Sequence, residues 1–177
     1  MEENEWRTVR KTYLHKSPYF AFRLDEVSLP DGTNIEYGVF ESSGFAAVLP
    51  VTDWGDVVLV RQWRQPLGKF TLELPSGAVD AGESPDSAAR RELFEETGYR
   101  AEDMEHLATV HTSPGRSDEV CHVFRCRALK DGDLGSNPDS TEFIEVVEMP
   151  VEEAMAKVRS GEVSDAASAL GFSLGCR

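Results

Sequence analysis

The sequence predicts an α+β domain built on a mixed sheet. Three observations predict it. Apolar runs of strand length crowd the chain up to Pro75, one strongly capped helix follows, and further strands lead into two closing helices. At 177 residues the chain suits one compact domain, or one with a small appendage, and can bury a real core.

Taken in order, "PYFAFRLDEVSLPDGTNIEYGVFES" predicts two strands joined by a turn at Pro30-Asp31-Gly32. "FAAVLPVTDWGDVVLVRQW" predicts a second hairpin turning at Asp53–Asp56, with Ala46–Val51 and Val57–Val60 as core strands. "KFTLELPSG" is a short strand ending at Pro75. The helix signal then opens on Ser84 as N-cap with Pro85 in the first helical position. Asp86 favours the positive end of the helix dipole, and Gly98 falls just past the C-terminus. "HLATVHTSPG" and "EVCHVFRCRAL" predict strands around a loop, and "DGDLGSNPDST" a polar loop. "EFIEVVEMP" predicts a last strand, and "VEEAMAKVRSG" and "VSDAASALGFSL" two closing helices.

The formal net charge is -14, so the surface repels nucleic acid and anionic membrane. An anionic substrate then needs local Arg, Lys or metal cations. Cys121, Cys126 and Cys176 have no metal-ligand spacing and read as reduced thiols. His15, His106, His111 and His122 form no ligand pattern either. The start "MEENEWRTVRK" has no apolar leader and no 18-residue apolar run occurs, so the expectation is a cytoplasmic protein with no membrane partner.

The chemistry concentrates in "GAVDAGESPDSAARRELFEETGY", Gly77 to Tyr99, which carries Glu83, Glu92, Glu95 and Glu96. Offsets of three and four put the last three on one helix face, with Ala89 and Leu93 on an adjacent face that packs inward. A solvated acidic face is one reading. Against it, acidic residues in the last turns oppose the helix dipole. Clustered carboxylates on a rigid element suit a hard divalent cation such as Mg²⁺, which takes one or two carboxylates and keeps waters and substrate phosphates. Bound metal would relieve the repulsion.

This stretch resembles the Nudix box: Gly, five residues, Glu, seven residues, Arg-Glu, apolar, any, Glu-Glu, any, Gly, apolar. The matching positions are Gly77, Glu83, Arg91-Glu92, Leu93, Glu95-Glu96, Gly98 and Tyr99, the last standing where an aliphatic residue is usual. The resemblance implies the Nudix fold, a mixed sheet sandwiched between helices (α/β/α), and a hydrolase of nucleoside diphosphates linked to another moiety. It implies Mg²⁺, with Mn²⁺ as a possible substitute, held by Glu92, Glu95, Glu96 and the Ser76 carbonyl. Arg91 would orient a glutamate by ion pairing. Gly77 would allow a tight backbone turn, and Glu83 would hold the loop or ligate.

The flanks resemble the ADP-ribose pyrophosphatase branch. "RQWRQPLGKFTLELPSG" precedes the box, "SPGRSDE" follows it, and "EFIEVVEMPVEEAMAKVRSGEVSDAAS" resembles the branch's C-terminal segment. Arg61 and Arg64 end a strand just before the box and suit a pyrophosphate by bidentate bonding; surface pairing with carboxylates is their other reading. Pro114, Gly115 and Glu119 match the branch's substrate loop, although Arg116 stands where an aromatic or small residue is usual. For Phe20, Phe22, Tyr37 and Phe40, core packing is expected over base stacking.

The expected reaction is attack of water on a pyrophosphate phosphorus, turning ADP-ribose into AMP and ribose 5-phosphate. The proton acceptor is Glu95, Glu96 or Glu142, with Asp139 as fallback. Another nucleotide sugar such as GDP-mannose is the alternative substrate. A non-catalytic ADP-ribose sensor is the alternative of a different class, disfavoured because the box glutamates are kept. The resemblance also implies a homodimer. Residues 1–43 would be N-terminal strands for dimerisation or base contact, and residues 44–177 the hydrolase domain.

Overall fold

A computed structural model describes residues 4–130 and 143–176. The chain falls into two compact units: Met1–Gly44 with His111–Val120, and Phe45–Val110 with Cys121–Arg177.

The first unit holds an antiparallel sheet in the order β1-β2-β3: β1 (Arg7–Lys16), β2 (Phe20–Ser28) and β3 (Asn34–Ser42). The expected turn joins β2 and β3. There the Thr33 N–H donates to Asp31 Oδ1 at 2.8 Å and the Leu29 N–H to the Thr33 carbonyl at 2.8 Å. β2 alternates as a half-buried strand should, but its buried face carries Arg23 and Asp25 beside Val27. Arg23 donates to Asp25 at 2.8 Å and pairs with Glu41, so these buried charges are matched. The segment His111–Val120 lies along β3: the Phe40 N–H donates to the Arg116 carbonyl at 2.8 Å and Ser117 bridges Phe40.

The core-packing expectation fails for two aromatics. Phe20 and Phe40 are 43% and 47% exposed, stacked in a surface ladder with His15 and Phe22. The strand alternates, and their faces point outward.

The second unit holds seven strands: β4 (Phe45–Thr52), β5 (Asp56–Arg64), β6 (Lys69–Glu73), β7 (Ser76–Ala78), β8 (Tyr99–His111), β9 (Val120–Lys130) and β10 (Glu145–Pro150). Their order is β10-β5-β4-β9-β8, with β6 on β5 and β7 on β4. Three helices complete it: α1 (Pro85–Thr97), α2 (Val151–Ser160) and α3 (Ala166–Gly175). The sheet is mixed, because β4 runs parallel to β9 and antiparallel to β5 and β7.

Successive side chains of β4 point to opposite faces. Ala46 and Val48 pack with Ala88, Ala89 and Leu93 of α1. Leu49 packs with Ala154 of α2 and Phe172 of α3, and Ala47 packs with Ala167 of α3. One helix therefore covers one face and two cover the other, which is the expected three-layer α/β/α arrangement. Each fully buried Leu or Val contributes roughly 1.5–3 kcal/mol of burial.

The β4–β5 hairpin pairs at Val51↔Val57, near its turn. Beyond that the strands part. β5, already paired with β10 from Asp56 to Arg61, takes β6 from Val60 to Arg64, and the opened edge of β4 takes β7, with Ala46↔Gly77 and Ala47↔Ser76 in register. That splay inserts Ser76 and Gly77 into the sheet, on the strand against which α1 packs.

Candidate active site

Helix α1 forms where its signals place it. The Ser84 hydroxyl accepts from the Ser87 N–H at 3.2 Å, and Pro85 leads the first turn. Gly98 ends the helix at φ 74°, with its N–H on the Phe94 carbonyl at 2.8 Å. Ala88, Ala89 and Leu93 are fully buried, which fixes the rotation of the helix and turns its glutamates toward β7.

The glutamates meet different fates. Glu96 is 3% exposed, and its Oε2 accepts from the Ser76 N–H at 2.9 Å. Glu92 lies over Gly77: a Cβ added there would overlap the Glu92 carboxylate, so only glycine leaves that space. Glu95 is the most open of the helical three, with its side chain 42% exposed.

Arg91 ties the group together. It donates to Glu83 at 3.1 and 2.9 Å, to Glu92 at 2.5 Å, to Glu95 at 3.1 Å, and to the Ala78 carbonyl at 3.0 Å. Hydrogen bonding to Glu83, then to Glu92, holds its guanidinium well above its ordinary value against the cost of burial. The Arg91 bonds in turn keep Glu83 below the usual carboxylate range. Glu83 also accepts from the Asp80 N–H at 3.2 Å. Both Glu83 oxygens are thus engaged in closing the loop onto the helix.

Ahead of the box, Arg64 forms a bidentate pair with Glu73, at 2.9 and 2.5 Å. Burial alone would raise Glu73. The bonds from Arg64 and from the Thr71 hydroxyl at 2.6 Å outweigh it and hold Glu73 low. Arg64 is raised, chiefly by its bond to Glu73, and it also feels the charges of Asp165 and Glu96. It lines a cavity of about 370 Å³ with Thr71, Glu73 and Asp165. Arg61 is placed apart from this group. It pairs with Glu145 at 2.9 Å, stacks on Phe70 at 4.1 Å and lines a different cavity of about 330 Å³. The surface-pairing alternative therefore describes Arg61 as it stands.

In the other unit, Pro114 and Gly115 form a turn closed by the Arg116 N–H on the Ser113 carbonyl at 2.9 Å. The Tyr37 hydroxyl holds the Gly115 carbonyl at 2.7 Å, and Glu119 accepts from the Thr112 hydroxyl at 2.7 Å. Glu142 and Asp139 lie outside the described residues. One residue escaped the sequence reading, Glu73, which locks Arg64; for Tyr37, weighed there between core packing and base stacking, the structure adds the bond that holds the loop. The alternation of Thr71 and Glu73 with Leu72 and Leu74 signals a solvent-facing glutamate, yet both polar residues are buried.

Among the described residues no three His, Cys, Asp or Glu side chains converge tightly enough to hold a metal by themselves. The donors around Gly77 are hard carboxylate oxygens, neutralised in part by Arg91. Such a partial set fits a cation that fills its remaining positions with water and phosphate.

Residues 43–167 match the NUDIX domain family model, and the chain belongs to that family. Nudix hydrolases generally require a divalent metal. The chain is 37% identical to the ADP-ribose pyrophosphatase of Bacillus subtilis (strain 168), over 96% of this chain and 91% of the relative. It is also 37% identical to a GDP-mannose pyrophosphatase of Cronobacter sakazakii (strain ATCC BAA-894), covering 86% and 85%. A solved structure described as an ADP compounds hydrolase matches with TM-score 0.82 over 97% of this chain and 92% of that one. At 19% identity, that likeness speaks for the fold.

Proposed function

We propose that this chain hydrolyses the pyrophosphate linkage of a nucleoside diphosphate sugar, converting ADP-ribose and water to AMP and ribose 5-phosphate. The observation that carries the reading is the Arg91-centred carboxylate cluster over Gly77, in a chain related over most of its length to an ADP-ribose pyrophosphatase.

Glu92, Glu95, Glu96 and the Ser76 carbonyl are the residues that would hold Mg²⁺, with Mn²⁺ as a substitute. When bound, the metal supplies charge neutralisation on the diphosphate and acidifies water. The chain's own groups do the rest. Arg91 holds Glu92 and Glu95 side by side against their repulsion. Glu96, buried and bonded to Ser76, is a fixed donor rather than a proton shuttle. Glu95 is the more open carboxylate and takes the proton of the attacking water. Glu142 keeps its candidacy for that role from the family resemblance. One P–O bond forms, and the bridging P–O bond breaks toward the departing phosphate. Arg64, pre-oriented by Glu73, presents its remaining donors to the diphosphate. Arg61, paired with Glu145 through one nitrogen, keeps donors for the same purpose but lines a different cavity. Pro114, Gly115 and Glu119 are assigned to substrate recognition through the branch resemblance.

A second substrate reading, GDP-mannose, is favoured by the Cronobacter sakazakii relative, 37% identical over a smaller share of the chain, 86%. We assign a homodimer, supported by the apolar side chains that the β1–β3 sheet exposes, Val9, Leu14, Phe20 and Phe40, with Trp6 just ahead of β1. The cytoplasm is assigned from the three free cysteines.

The test is chromatographic product analysis after incubation with ADP-ribose, GDP-mannose, diadenosine polyphosphates and nucleoside triphosphates, with and without Mg²⁺. AMP and ribose 5-phosphate from ADP-ribose, only with metal, is the expected result. Preferential turnover of GDP-mannose moves the substrate to the second reading. Binding of ADP-ribose without any turnover across the panel overturns the enzyme in favour of a sensor.

A further inference from the structure

A buried hydrogen-bond relay at the N-terminus of α3 reaches the loop that holds Glu96. Ser168 is fully buried, at 0% exposure. Its Oγ accepts from the Leu74 backbone N–H at 2.8 Å and donates to Asp165 Oδ2 at 2.7 Å. The same Asp165 oxygen accepts from the Ser168 N–H at 2.8 Å, which caps α3. A hydroxyl that donates to a carboxylate is polarised and becomes a better acceptor. The Leu74 amide therefore meets a strong partner just beyond the end of β6.

The next residues are pinned in succession. Pro75 has no N–H to give, and its carbonyl accepts from the Val48 N–H at 3.0 Å. The Ser76 N–H then holds Glu96. From Ser168 to the Glu96 carboxylate the path is three backbone residues long, and each of them is tied. Helix α3 is also docked tightly over this point: a Cβ added at Gly171 would lie 2.6 Å from Leu74 Cδ1. A serine placed only to fill space would not need its hydroxyl engaged on both sides.

We propose that Ser168, supported by Asp165, is a positioning residue for Glu96: it fixes the Leu74–Ser76 backbone whose amide orients that carboxylate. The inference rests on the assignment of Glu96 as a metal-holding residue. It gives α3, on the opposite face of the sheet from α1, a part in metal affinity.

The test compares Ser168→Ala with Leu170→Ala, a packing change on the same helix that leaves the relay intact, with Glu96→Gln beside them. Mn²⁺ binding to metal-free protein is measured by electron paramagnetic resonance, and melting temperature and ADP-ribose kinetics are recorded for each. Ser168→Ala is expected to weaken Mn²⁺ binding about 10-fold, the lower end for groups that hold a ligand from outside. Its kcat falls by a similar factor, while KM for ADP-ribose stays within about twofold. Leu170→Ala lowers the melting temperature and leaves Mn²⁺ affinity unchanged. Should Ser168→Ala fail to fold, Asp165→Asn keeps the cap and removes only the charge, and a smaller loss of Mn²⁺ affinity is expected. Equal Mn²⁺ affinity in the relay variants and Leu170→Ala overturns the inference, while loss in Glu96→Gln leaves the site assignment standing. Undiminished Mn²⁺ binding in Glu96→Gln overturns both.

Discussion

Arg91 is where the cost of the acidic site is contained. One guanidinium meets carboxylates from the loop, from its neighbour and from the next helical turn, and a backbone carbonyl as well. Five donors in a planar fork suit that task, and an ammonium does not. Arg91→Lys is therefore expected to behave nearly as Arg91→Ala, with kcat down about 10–100-fold in steady-state assays. Full activity in the lysine variant would show that charge alone suffices. Glu73 makes the second residue-scale prediction. Its folded value is lowered, so the unfolded chain takes up its proton first as pH falls. The stabilisation is fully present above the ordinary glutamate value of about 4.3 and is lost as pH drops through the lowered folded value. Chemical denaturation between pH 7 and pH 3 checks this: Glu73→Gln is less stable at neutral pH and shows a flatter acid limb than the parent. At this scale the sequence was partly legible. Helical spacing grouped Glu92, Glu95 and Glu96, and burial then separated them. The eight-residue step from Glu83 to Arg91 is not a helical spacing, because Glu83 precedes the cap, and the family resemblance gave Arg91 an ion pair with a glutamate without saying which. Glu73 went unassigned because a strand glutamate looks solvated until its arginine partner is seen.

At the scale of elements, α1 was the most readable, because its cap, first-turn proline, apolar stripe and C-terminal glycine all agree. Leu93→Ala is expected to cost about 2–5 kcal/mol in urea denaturation, since the side chain is fully buried. Ser84→Ala is expected to cost only about 1 kcal/mol. The reverse order would mean that the cap, not the packed face, positions the glutamates. Other elements were harder to read. β1 is exposed at all ten positions, so it carries no alternation of buried and open residues to betray a strand. β7 is three residues long and exists because β4 and β5 part beyond Val51↔Val57. That splay is a property of the whole sheet, and no local pattern announces it. Yet it places Ser76 and Gly77 beside Glu96 and Glu92.

The whole molecule carries net charge -14 and concentrates some of that charge at one site. No helix among the described residues is long and apolar enough to cross a membrane. Divalent cation should act as a folding ligand for such a chain. At a free Mg²⁺ concentration of 100 times its dissociation constant, stability rises by about 2.7 kcal/mol. Thermal melts with Mg²⁺ against EDTA read this directly. In Glu96→Gln the gain shrinks, whereas general screening of the acidic surface would survive the substitution.

Metal-dependent hydrolysis through the glutamate cluster is tested most directly by steady-state release of AMP from ADP-ribose by the parent and by Glu96→Gln, across a Mg²⁺ titration. Turnover is expected to be absent without metal and to saturate with it. In the variant kcat falls by at least about 100-fold, the size of effect expected when a group that acts in the transition state is lost. Turnover that needs no metal, or that Glu96→Gln leaves intact, would contradict that mechanism.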